Sequence, residues 1–76
     1  MNMQRRKRIE NVVKKLEEML EEITDIHEEE QEAFDNLPES IQDSERGETI
    51  QEAADNLESA ASSIEEAIEY LIEAIG

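Results

Sequence analysis

The sequence has no cysteine and no tryptophan, one proline, two glycines, one tyrosine and one phenylalanine, and seven basic residues against 22 acidic ones. Each shortage removes a class of protein. Without cysteine there is neither a disulfide framework nor a thiolate metal site. Gly47 and Gly76 are the only glycines, so no glycine-rich phosphate loop can form. Phe34 and Tyr70 do not supply the row of stacking faces that single-stranded nucleic acid uses. A formal net charge of -15 further disfavours direct binding to a nucleic-acid backbone. No apolar run approaches the roughly 20 residues that span a bilayer, so no membrane partner is expected. The opening Met1 to Arg8 is basic but leads into no hydrophobic core, so it does not read as a secretory signal and a cytoplasmic location is expected.

What the chain does have is apolar periodicity. Ile9, Val12, Val13, Leu16, Met19, Leu20, Ile23, Ile26, Ala33 and Phe34 recur at alternating three- and four-residue steps, the period of a helix with one face turned inward. A second seam runs Ile50, Ala53, Ala54, Leu57, Ala60, Ala61, Ile64, Ala67, Ile68, Leu71, Ala74, Ile75. In heptad terms Ile9, Leu16, Ile23 and Glu30 take a positions, flanked by the d/e pairs Val12/Val13, Met19/Leu20, Ile26/His27 and Ala33/Phe34. Three apolar lines per heptad suit a bundle better than a two-stranded coil. The fold class is therefore all-α: an antiparallel two-helix hairpin that dimerises into a four-helix bundle. Residues 1–76 form one domain, with helix 1 over about 3–36, a turn over 37–48 and helix 2 over about 49–75.

Pro38 ends the first helix at Leu37, because the residue before a proline is pushed out of helical geometry. Pro38 can also open a short helical turn, with Leu37 and Ile41 closing the end of the bundle. Thr49-Ile50-Gln51-Glu52 reads as a capping box and places the second helix start at Thr49. A start at Ser44 would put Gly47 in the first turn at about 1 kcal/mol. The second seam is rich in alanine where the first is bulky, which favours close approach. A hairpin reversing at Pro38 sets Leu16 near Leu71, brings Lys14 and Lys15 toward Glu69 and Glu73, and leaves Arg5 to Arg8 overhanging Gly76. Val13, Leu20, Ile68 and Ile75 are expected on its uncovered flank, which a second copy would cover.

Charge is segregated. Arg5, Arg6, Lys7, Arg8, Lys14 and Lys15 lie in the first fifteen positions, and Arg46 is the only other base. The cluster Arg5 to Arg8 opposes the helix dipole at an N-terminus. It reads either as a patch that captures an anionic nucleotide, with Tyr70 nearby, or as an end that meets acidic residues of a second subunit. The hairpin end is the reverse: Glu28, Glu29, Glu32, Asp35, Glu39 and Asp43 crowd it, with Asn36 and Arg46 among them. Those eight residues are the candidate surface for a protein partner, by imitation of a nucleic-acid phosphate ladder; the plainer reading is a solvated acidic face.

No catalytic constellation emerges. His27 and Glu30 lie one turn apart, but their order inverts the Glu-x-x-His motif of bundle metal sites and no second histidine exists. Asp43 to Glu48 is a poor fragment of a calcium loop. No cofactor, metal or enzymatic activity is expected.

The run Glu-Ala-Phe-Asp-Asn-Leu-Pro-Glu-Ser from Glu32 to Ser40, followed by Ser44-Glu45-Arg46-Gly47-Glu48, resembles small acidic helical-hairpin proteins encoded by phages and prophages of Gram-positive bacteria. The WXG-type secreted hairpins are a second helical-hairpin family, but this turn lacks their tryptophan. The phage resemblance implies an accessory or counter-defence role in the host cytoplasm and transfers no site residues. The leading expectation is a non-enzymatic inhibitor that blocks a host or defence protein through the acidic end. The alternatives are an oligomeric sponge for an anionic nucleotide, through Arg5, Arg6, Lys7, Arg8 and Tyr70, and a structural assembly factor.

Overall fold

The computed structural model describes every residue from Met1 to Gly76 and is all-helical. Helix α1 spans Met3–Asp35, a single turn α2 spans Glu39–Gln42, and α3 spans Glu45–Ile75. The molecule is a rod of 58 × 15 × 13 Å in which α1 and α3 pack along each other. At about 1.5 Å per residue each long helix accounts for most of that length.

Helix α1 begins where Asn2 accepts a 2.8 Å hydrogen bond from the Arg5 backbone N–H, an N-cap that satisfies one otherwise free donor. It ends at Asn36, whose N–H donates to the Glu32 carbonyl, before Leu37 is forced out of the helix by Pro38. Pro38 then opens α2: the Ile41 and Gln42 N–H groups both donate to its carbonyl. The Gln42 side chain does more than fill space. Its Nε2 lies 3.2 Å from the carbonyls of both Phe34 and Leu37, so one side-chain amide serves the free carbonyl end of α1.

The second long helix starts at Glu45, four residues before the expected Thr49. Ser44 is its N-cap, accepting from the Gly47 N–H and donating to the Ile41 carbonyl, while the Thr49 hydroxyl donates back to the Glu45 carbonyl. The reason lies in Gly47, one of only two buried residues in the chain. A Cβ at this position would collide with the carbonyl oxygens of Ile41 and Gln42. The first turn of α3 thus lies directly against the backbone of α2, which only glycine permits. The intrinsic cost of glycine in a helix is outweighed by that contact. From there α3 runs unbroken through Ser62 and Ser63 to Ile75.

The helix faces sort by exposure. In α1 the a line (Ile9, Leu16, Ile23, Glu30) and the e line (Val13, Leu20, His27, Phe34) are half-buried throughout. The d line (Val12, Met19, Ile26, Ala33) is exposed throughout. In α3 the line through Gly47, Ala54, Ala61, Ile68 and Ile75 carries both buried residues. Val13, Leu20, Ile68 and Ile75 therefore turn partly inward, contrary to the expectation that they form the open flank. The open flank is the d line. Ala54 is the one fully buried apolar side chain, because two helices alone can cover only the strip between them.

Replacing Gly47 with alanine should destabilise the hairpin by roughly 1–3 kcal/mol, because backbone must move to admit the methyl group. Ser44→Ala should cost about 1 kcal/mol through loss of the cap. Urea titrations followed by circular dichroism check both; a neutral Gly47→Ala would contradict the close packing of α2 on α3.

Candidate functional site

The two ends of the rod have opposite chemistry. At the hairpin end, Glu28, Glu29, Glu32, Asp35, Asn36, Glu39, Asp43 and Arg46 are all exposed. What knits this end together is amide rather than cation. The Gln31 and Gln51 side chains exchange hydrogen bonds of 3.4 and 3.3 Å across the two helices. Each then reaches a carboxylate one turn along its own helix, Gln31 to Asp35 at 3.2 Å and Gln51 to Asp55 at 2.9 Å. Neutral amides can bridge carboxylates without cancelling their charge, so the acidic field of the end survives the bonding. Neither glutamine carries an obvious signal in the sequence, because a glutamine beside a seam looks like any polar flank. Glu30 is half-buried and makes no side-chain hydrogen bond.

The Gln31–Gln51 bridge also fixes the register. Counting outward from it sets Leu16 level with about Glu66 rather than Leu71, and Arg8 level with about Ala74. The early start of α3 at Glu45 slides the second helix along the first by more than one turn. The overhang of the basic cluster shrinks accordingly to about its first turn.

At the open end, Arg5, Arg6, Lys7 and Arg8 are exposed, as is Tyr70 at 69%. Two shallow grooves lie here. One of about 250 Å³ is lined by Arg5, Arg8, Ile9 and Val12; a wider one of about 490 Å³ is lined by Asn2, Gln4, Arg5, Lys7 and Arg8. All of these residues belong to the start of α1 or cap it, and α3 contributes none. Tyr70 joins neither groove, so the structure does not bring it together with the basic residues. Lys14 and Lys15 make no side-chain hydrogen bond to Glu69 or Glu73; the inter-helix side-chain bonds outside the turn are those of the glutamines.

No group of three or more His, Cys, Asp or Glu side chains is arranged to hold a metal ion. His27 and Glu30 stay half-buried on α1, one turn apart, facing α3. No helix is long and apolar enough to cross a membrane. Scans against protein-family models, curated proteins and solved structures find no match to this chain.

With 22 acids against seven bases, net repulsion opposes the compact rod. Raising salt from about 0.01 M to about 1 M shortens the screening length from about 30 to about 3 Å. The thermal midpoint should rise by several degrees over that range. A midpoint that falls with salt would mean that specific ion pairs outweigh the general repulsion.

Proposed function

We propose that this protein is a non-enzymatic interaction protein that works as a homodimeric four-helix bundle and blocks a basic surface of another protein through its acidic hairpin end. The observation that carries the reading is the pairing of two features. Carboxylates crowd one end of the rod with no hydrogen-bonded cation among them, and an unbroken exposed apolar line runs along α1. The first is a surface for steering a positively charged partner. The second is unsuited to a lone hairpin in water: Val12 is 45%, Met19 56% and Ile26 41% exposed. The resemblance of the turn to phage-encoded proteins makes a host or defence protein the target class.

The sponge reading rests on the groove of Asn2, Gln4, Arg5, Lys7 and Arg8. Those donors come from one face of one helix and enclose nothing, so an anion there stays solvated. Capture would need a second wall from another copy.

Light scattering coupled to size exclusion at tens of micromolar should give twice the chain mass, and the thermal midpoint should rise with protein concentration, since folding and association are linked. A monomer with a concentration-independent midpoint sinks the bundle. Charge reversal then tests the contact. Glu28, Asp35, Glu39 and Asp43 changed to lysine should slow association with a target protein of basic surface by at least an order of magnitude. Changing Arg5, Arg6 and Lys7 to glutamine should leave that target bound; if only the glutamine set abolishes binding, the functional end is the basic one.

A further inference from the structure

The exposed line of α1 has a counterpart on α3. There the third apolar line is Ala53, Ala60, Ala67 and Ala74, of which Ala60 and Ala74 are exposed. In both helices this line sits three residues after one inward line and one residue before the other. Two helices of the same hand packed antiparallel carry such equal offsets to the same side. The hairpin therefore has one broad apolar face, bulky along α1 and shallow along α3.

A second copy can cover this face in two symmetric ways. A two-fold axis along the rod gathers both basic ends at one end of the bundle and both acidic ends at the other, setting like charge against like. A two-fold axis across the rod lays α1 antiparallel on the α1 of the second copy. The charge pattern of α1 decides between them. The line flanking the d positions on the outer side reads Arg8, Lys15, Glu22, Glu29, two positive then two negative, and all four are exposed. Antiparallel helices bring such flanking positions together across the seam. With the axis at Met19, the midpoint of the 33-residue α1, Arg8 meets the partner's Glu29 and Lys15 meets the partner's Glu22. Slipping the helices by one heptad loses this match: Glu22 in one direction, or Lys15 in the other, then faces its own copy. The same axis sets Val12 beside the partner's Ile26 and leaves Met19 packed on itself. It also lays the C-terminal part of the partner's α1 over the apolar groove bounded by Arg5, Arg8, Ile9 and Val12.

We infer that the dimer is antiparallel, α1 on α1, with its two-fold axis at Met19 and with Arg8–Glu29 and Lys15–Glu22 pairs between the copies. This rests on the dimer reading above and adds its orientation and register. The basic residues that lack partners within one hairpin thereby gain them in the second. Glu28 and Asp35, on the opposite side of α1 from the d line, stay free for a target.

The absence of native cysteine makes the test clean. Under mild oxidation Met19→Cys should form a covalent dimer with itself. Val12→Cys alone should not, but should link to Ile26→Cys when the two are mixed. Separately, Arg8→Glu/Lys15→Glu and Glu22→Lys/Glu29→Lys should each lose self-association, and an equimolar mixture of the two should recover a dimer by light scattering. If the wild type is dimeric but Val12→Cys links to itself, or Met19→Cys does not link, the antiparallel arrangement is overturned while the dimer stands. If the wild type is monomeric, the dimer reading itself has failed.

Discussion

Two helices packed side by side can hide only the strip between them, and that limit governs everything else in this molecule. The two buried residues, Gly47 and Ala54, fall one heptad apart on the same line of α3, Gly47 against the backbone of α2 and Ala54 with its methyl group fully covered. Every larger apolar side chain keeps part of its surface in water. Burial of apolar area is the main driving force of folding and scales with the area removed. A hairpin of 76 residues in which so little is fully covered has a small share of it. The proposed dimer addresses this directly, because it covers the one apolar face that the hairpin leaves open.

The turn shows how local and tertiary signals divide the control of structure. Apolar period alone placed two long helices, and Pro38 placed the break between them. Intrinsic preference puts the start of α3 at Thr49 because it counts the cost of Gly47 in a helix and cannot see its neighbours. The carbonyls of Ile41 and Gln42 stand where a Cβ would be, so glycine is required there by packing. Gln42 was equally illegible: its amide reaches the carbonyls of Phe34 and Leu37 only after α2 has folded back onto α1. The shift in register from Leu16–Leu71 to Leu16–Glu66 has the same cause, since a helix that begins at Glu45 rather than Thr49 reaches its partner at a different level. The candidate charged surfaces were readable because charge is partitioned along the sequence itself. The groove of Arg5, Arg8, Ile9 and Val12 was not, because it depends on how the side chains of the first turns of α1 lie against one another.

Charge polarity then acquires a physical meaning that composition lacks. The net charge of -15 describes the whole chain, but the rod is 58 Å long and the screening length at physiological salt is about 8 Å. A partner at the hairpin end responds to the local carboxylates and scarcely to the distant basic cluster. Arg46, exposed within that end, modulates its field more than all six bases at the far end do.

Orientation of the proposed dimer consequently sets its valency. Copies arranged with acidic ends together would merge two clusters into one site of doubled charge, suited to a single extended basic groove. Copies arranged antiparallel place an acidic turn at each end of the bundle, separated by most of its length, and bring the basic start of the other copy alongside each turn. Part of each acidic cluster is then neutralised from within. What remains for a target is the outward set, Glu28, Asp35, Glu39 and Asp43, a smaller and more sharply bounded surface. Two such surfaces on one rigid rod can engage two sites at once only if the target presents them at a matching distance; otherwise each acts alone. The +,+,−,− order of Arg8, Lys15, Glu22 and Glu29 thus links the two halves of the proposal, because the residues that orient the dimer also determine how much of the acidic end is left to bind.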